Sequence, residues 1–292
     1  MEDTFMGTSN DHLQPPQHQN KQPGERSKMS PKPVTEDSDY RSSGKLENKV
    51  AIVTGGDSGI GRAVSILFAK EGADVVIVYL DEHDDAEETR KRVVRTGQRC
   101  LLVAGDVGDS SFCRTVVDKT VAAFDTIDIL VNNSGEQHAY HSVADIEEEQ
   151  LKKTFATNLF SMFYLIQYAL PHLKDGGTII NTTSVTAYQG HPTLIPYACT
   201  KGAITSLTRS LAISLAEDNI RVNGVAPGPV WTPLIPASFD EEKVSRFGEN
   251  TLMSRPGEPV EIAPSFLFLA SSDSSFMTGQ VLHPNGGRIV NG

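Results

Sequence analysis

A tyrosine and a lysine stand four residues apart in the stretch Tyr197-Ala198-Cys199-Thr200-Lys201, with only small residues between them. On a helix, positions i and i+4 share one face a turn apart, so the phenol and the ammonium are held side by side. An unperturbed phenol has a pKa of about 10, so only about one in a thousand is ionised at pH 7. A fixed cation beside it lowers that value by roughly 1–3 units, which makes the phenol a usable general acid or base. Thirteen residues earlier, Ser184 closes the apolar run GTIINTTS, a position at the mouth of a cleft. Taken alone, a Tyr/Lys pair also fits a solvated helix face. The surrounding chain has to decide.

The elements that must position these groups begin at Lys49. KVAIVT is a short, β-branched run suited to a buried parallel strand. A glycine-rich turn and a helical pattern over about 60–71 follow it. Further strands are expected at 74–79, 99–106, 127–133, in GTIINTTS, at 220–227 and at 278–283. Helices are expected up to about 96, then over 110–124, 147–173, 196–216 and 259–270, with a lid over about 229–255. The 147–173 helix carries Leu151, Phe155, Leu159, Met162 and Ile166 on one stripe. This alternation predicts an α/β fold, a doubly wound parallel sheet of about seven strands. Ligands then bind at the carboxyl ends of the strands. No linker interrupts the pattern, so 45–292 reads as a single domain.

The chain has 292 residues and a formal charge of −11, which argues against general affinity for nucleic acid or an anionic membrane. An acidic start without an apolar segment is no secretion signal, and no apolar run approaches the roughly 18 residues of a membrane span. Cys100, Cys113 and Cys199 are too scattered for a disulfide framework or a zinc pattern, and the histidines form no HExxH, so no metal is expected. A soluble, cytoplasmic protein is the expectation. Residues 1–44, rich in Pro, Gln, Ser, Asn and Lys, read as a tail, either disordered or lying along a neighbouring subunit. Its removal is expected to leave fold and cofactor affinity intact.

Chemistry-bearing residues recur at the strand ends. The turn TGGDSGIG, with Thr54, Gly55, Gly59 and Gly61, lets a pyrophosphate approach backbone N–H groups at a helix N-terminus. After the second strand come Tyr79-Leu80-Asp81-Glu82-His83-Asp84-Asp85, with no base before Arg90 and a neutral Ser58 in the glycine turn. Four carboxylates would repel a ribose 2′-phosphate, which favours NAD. No acid stands on the strand end itself, and Arg62 is able to swing toward the ribose, so NADP remains possible. Asp106 either accepts an adenine amino proton or caps the next helix. Asn132-Asn133-Ser134-Gly135 lets the backbone pass close to a ribose or simply ties the strand ends together. Asn158, a polar residue in an apolar helix, needs hydrogen-bond partners. Gln189 and His191 either touch substrate or face water.

TGGDSGIG, NNSG, Asn158, Ser184, YACTK and the later PGPVWTP, in this order and spacing, resemble the short-chain dehydrogenase/reductase family over about residues 45–290. The tail and the GGDSGIGRA and YLDEHDDAEET wording are more narrowly similar to bacterial general-stress oxidoreductases related to glucose and ribitol dehydrogenases. The resemblance implies a Rossmann-type fold and a homotetramer built on the 147–173 and 196–216 helices. It also implies a catalytic tetrad of Asn158, Ser184, Tyr197 and Lys201. Ser184 would bond the substrate oxygen and Tyr197 would exchange a proton with it. Lys201 would bind the nicotinamide ribose and lower the phenol's pKa, while Asn158 would hold a water. Cofactor contacts are implied at Gly55, Ser58, Gly59, Ile60, Tyr79, Leu80, Asp106, Val107, Asn133, Gly135, Tyr197, Lys201, Pro227, Gly228, Val230 and Thr232. The activity implied interconverts a small alcohol with an aldehyde or ketone, using NAD or NADP. A 3-oxoacyl carrier-protein reductase is the nearest rival, disfavoured by the acidic charge and Tyr79-Leu80. A dinucleotide-binding redox sensor without turnover is the rival of another class.

Overall fold

Alternate residues of each β-branched run face opposite sides of one sheet. Ala51, Val53, Val75, Ile77, Ile129 and Val131 join one apolar layer, while Val50, Ile52, Val76, Val78 and Leu130 join the other. Both layers are buried, as expected for a parallel sheet covered on both faces. In this computed structural model, which describes residues 13–290, the strands are β1 (Val50–Thr54), β2 (Asp74–Tyr79), β3 (Cys100–Ala104), β4 (Ile127–Asn132), β5 (Leu173–Thr182), β6 (Arg221–Val225) and β7 (Val281–Leu282). They form one seven-stranded sheet in the order β3-β2-β1-β4-β5-β6-β7, and every pairing is parallel. The chain reverses its winding between β1 and β4, and the carboxyl ends there open a crevice.

Helices α1 (Gly59–Lys70), α2 (His83–Val94) and α9 (Pro259–Ala270) cover the first layer. The second is covered by α3 (Ser110–Phe124), α5 (Ser161–Ala169) and α7 (Ile195–Ser214). The expected single helix over 147–173 is instead α4 (Glu148–Phe155), a π-helical turn at Ala156–Phe160, and α5. Short helices α6 (Thr186–Gln189) and α8 (Glu241–Ser245) border the cleft. No described helix is long and apolar enough to cross a membrane.

The N-terminal segment departs most from expectation. Residues 1–12 lie outside the described residues, but 13–44 are not a disordered arm. They form a strap on their own domain, made largely of backbone and polar contacts that leave no apolar periodicity in the sequence. Its apolar anchor is Met29, 3% exposed in a small cluster with Leu194, Trp231, Ile235, Phe239 and Val244. Further along, Val260 N–H donates to Val34 O at 3.0 Å, and the Tyr40 hydroxyl and Lys45 N–H both donate to the Glu71 carboxylate. Met29→Ala is expected to destabilise the protein by about 2 kcal/mol, the low end for a buried methionine. Calorimetry should show this as a drop of roughly 5 °C in melting temperature; an unchanged value would mean the strap is not docked in solution.

Candidate functional site

The β1 end is fastened to β4 by hydrogen bonds. Thr54 Oγ1 accepts from the backbone N–H of Asn133 at 2.8 Å and of Ser134 at 2.9 Å, and Asn133 Nδ2 donates to Thr54 O at 3.0 Å. Of the two readings of Asn132–Gly135, tying the strand ends is therefore realised. The glycine turn is as tight as its composition suggests: Gly55 and Gly59 have φ of 61° and 51°, and a Cβ on Gly61 would lie 1.9 Å from Gly55 O. Ser58 precedes α1 without capping it by its side chain, and the first turn holds no acidic residue. Open N–H groups at a helix N-terminus suit a pyrophosphate.

Arg62 does not swing toward a ribose. It is fully buried, donating to Asp57 O at 2.8 Å and to Asp85 O and Oδ1 at 2.8 and 3.0 Å. Nor do four free carboxylates stand at this corner. Asp85 is neutralised by Arg62, and Asp81 pairs with Lys21 of the strap at 2.8 Å. Burial pushes Glu82 up to about 8, aided by its hydrogen bond with Asp81, so it carries a proton at neutral pH. Burial likewise raises Asp57 to about 6. Asp84 alone is left exposed and unneutralised at this corner. The Tyr79 hydroxyl bonds His83 Nδ1 at 3.0 Å, and Leu80 is exposed beside it. Past β3, the helix-capping role belongs to Asp109, whose side chain accepts from Ser111 N–H. Asp106 accepts from Gly108 N–H within its own turn and faces the cleft.

Asn158 sits in the π turn and is completely buried. Its Oδ1 accepts from Glu136 N–H at 2.8 Å, and its Nδ2 donates to Glu136 O at 2.9 Å and Thr200 Oγ1 at 3.2 Å. It thus pins the loop after β4 to α7. Such π turns concentrate at functional positions. Gly135 lies between: a Cβ there would be 3.5 Å from Asn158 Oδ1 and 3.7 Å from Lys201 Nζ.

Ser184, just past β5, accepts from Thr186 N–H at 3.2 Å and Thr186 Oγ1 at 3.1 Å, and lines the same cleft as Tyr197. Lys201, 2% exposed, donates to Thr182 O at 2.8 Å and stands over the Tyr197 ring, 5.4 Å from its centroid. The expected depression of the phenol's pKa is reversed. Burial pushes Tyr197 up to about 12, with the neighbouring Ser184 pulling the other way. Burial brings Lys201 down to about 7. The ammonium stands over the ring, and desolvation of the phenol outweighs its field.

These groups share one cleft of about 790 Å³. It is lined by Ser184 and by every sequence-inferred cofactor position: Gly55, Ser58, Gly59, Ile60, Tyr79, Leu80, Asp106, Val107, Asn133, Gly135, Tyr197, Lys201, Pro227, Gly228, Val230 and Thr232. Asn158 stands behind this wall. Gln189 and His191 also line it, Gln189 exposed and His191 half-buried. Asp57 and Glu82 line it as well, and so do Gln22–Gly24 and Lys243, which no motif announces. In the sequence Glu82 reads only as a charge, and no signal there points to the strap. Cys199 is exposed on α7, and the described residues contain no group of three or more His, Cys, Asp or Glu that could hold a metal.

A family model described as enoyl-(acyl carrier protein) reductase matches residues 55–288. General stress protein 39 of Bacillus subtilis is 59% identical over 94% of this chain and 96% of its own. Glucose and ribitol dehydrogenase of Daucus carota is 51% identical over 95% and 98%. The crystal structure of a short-chain dehydrogenase from Burkholderia cenocepacia in complex with NADP is similar, with a TM-score of 0.79 at 30% identity, covering 83% of this chain and 98% of that one.

Proposed function

This chain belongs to the short-chain dehydrogenase/reductase family, and we propose that it is an NAD(P)-dependent oxidoreductase interconverting a small alcohol with an aldehyde or ketone. One observation carries the reading: Ser184, Tyr197 and Lys201 open into the same cleft as an uncapped helix N-terminus behind a glycine turn. A bound nicotinamide supplies or accepts the hydride. The chain's residues handle the proton and the orientation. Ser184 holds the substrate oxygen, and Tyr197, protonated at neutral pH, donates to that oxygen as a carbonyl is reduced. Lys201 and Asn158 keep the phenol and the loop at Gly135 in register. The similarity to glucose and ribitol dehydrogenase supports a hydroxyl-bearing substrate, and the similarity to general stress protein 39 supports a role under stress.

Side-by-side fluorescence titration with NADH and NADPH tests the reading. Micromolar or tighter affinity for at least one is expected, worth about 8 kcal/mol. With Asp81 and Asp85 paired to Lys21 and Arg62, charge at the corner no longer excludes NADPH. Absence of binding by both would end the enzyme and sensor readings together. A cytoplasmic homotetramer belongs to the same proposal. It is supported by the exposed Phe160 and Phe163 in the π turn and α5, and Ile213 on α7, apolar surface suited to a second copy.

A further inference from the structure

We propose that the N-terminal strap is part of the dinucleotide site: residues 14–31 fasten the lid to the β2–α2 corner, and the cofactor exchanges only when the strap peels away. This rests on the dinucleotide reading above.

The strap runs antiparallel to the lid. Gln14 N–H donates to Ser245 O at 3.2 Å, His18 Nδ1 lies 2.8 Å from Phe239 O, and Gln19 N–H donates to Pro236 O at 2.8 Å. At the far end Trp231 Nε1 donates to Pro31 O at 2.9 Å. From 14 to 31 the strap therefore meets the lid from 245 back to 231. On the opposite bank of the cleft, Lys21 pairs with Asp81 at 2.8 Å and Glu82 at 3.3 Å, and Arg26 N–H donates to Asp85 Oδ2 at 2.9 Å.

Between the two banks, Gln22, Pro23 and Gly24 are themselves cleft wall. Gln22 Nε2 donates to Gln137 O at 2.6 Å and to Ala237 O at 3.2 Å, linking the loop after β4 to the lid. Gly24 is buried where a Cβ would stand 2.3 Å from Pro233 O, so the approach of strap to lid depends on its lacking a side chain. Beneath this crossing, Gly59 of the phosphate turn faces Thr232, whose side chain a Cβ would meet at 3.2 Å. A dinucleotide bound from Asp106 to Lys201 would share its cleft with Gln22, Pro23 and Gly24. Opening the lid then means breaking the strap's hydrogen bonds or carrying the strap away from Asp81 and Asp85.

The two attachments differ in kind. The lid side is held by hydrogen bonds and by Met29 in its apolar cluster. The corner is held partly by the half-exposed Lys21–Asp81 pair, which added salt screens. Release should therefore begin at the corner and quicken with ionic strength.

Stopped-flow displacement of the bound reduced dinucleotide, NADH or NADPH by whichever titrates more tightly, tests this on the full chain. The comparison is with Lys21→Ala/Gln22→Ala and with Gly24→Val. Both release and association are expected to accelerate about tenfold in the double variant, which loses the two Lys21 contacts and the Gln22 side-chain hydrogen bonds, partly replaced by water. Gly24→Val, which lifts the strap from Pro233, should exceed that, and added salt should narrow the gap to wild type. A chain starting at Lys32 should exchange fastest; if it fails to fold, the point variants still decide. Exchange rates within twofold of wild type in both point variants would overturn the strap's role while leaving the dinucleotide reading intact. A wild-type chain that binds neither nucleotide would overturn both.

Discussion

Tyr197→Phe is expected to leave the fold and dinucleotide affinity unchanged and to lower turnover at least about 100-fold, the lower edge of what general acid/base catalysis contributes. The substitution removes one oxygen. The ring keeps its place against the Lys201 ammonium and beside the cluster around Trp231 and Phe239. What disappears is the proton donor next to Ser184. Because burial holds the phenol near 12, the group is an acid over the whole neutral range and is poised for carbonyl reduction. Alcohol oxidation needs the phenolate, so its rate should climb as pH rises toward that value while reduction does not gain. Steady-state kinetics in both directions from pH 6 to about 10 read this out. Near-normal turnover in the Phe variant, with cofactor binding retained, would sink the mechanism. It would favour a sensor that binds dinucleotide without chemistry.

The sheet was legible because its strands are β-branched runs of period two between helical stretches, and local pattern suffices for that. Ser184, Tyr197 and Lys201 were legible because helix geometry places i and i+4 together, and the end of an apolar run locates a cleft mouth. What escaped depends on contacts between distant segments. Arg62 carries no sign in the sequence that it will bury against Asp57 and Asp85. The acidic corner looks repulsive in sequence because Lys21, sixty residues away from Asp81, gives no sign there of neutralising it. The strap docks largely through polar and backbone contacts with distant segments, so apolar content alone makes it look unstructured. The π turn at Asn158 inserts into a stretch whose apolar stripe reads as unbroken helix. The Tyr197/Lys201 pair shows the same limit in its energetics. Spacing predicts adjacency, whereas the direction of the pKa change depends on how much water the fold leaves.

That balance gives the buried Lys201 a cost in stability, and Lys201→Met should expose it. Burial lowers the ammonium from an ordinary 10.5 to about 7, and no carboxylate pairs with it among the described residues. Below pH 7 the lysine is protonated in both the folded and the unfolded chain, so the folded state bears the whole desolvation penalty. Between 7 and 10.5 the unfolded chain binds the extra proton and stability rises with pH. Above 10.5 both states are neutral and the penalty is gone. Each pH unit between those two values is worth about 1.4 kcal/mol, which sets a ceiling of roughly 4–5 kcal/mol at neutral pH. The lost bond to Thr182 O returns part of it, about 1–2 kcal/mol. The Met variant should therefore melt several degrees higher than wild type at pH 6, and the difference should shrink steadily toward pH 10. Turnover should fall at least about 100-fold, since the proposed mechanism relies on the amine that stands over the phenol ring. Calorimetry of both proteins across that range decides the matter. A variant no more stable at pH 6, or a gap that does not depend on pH, would mean that Lys201 is held without strain and that packing alone sets the difference.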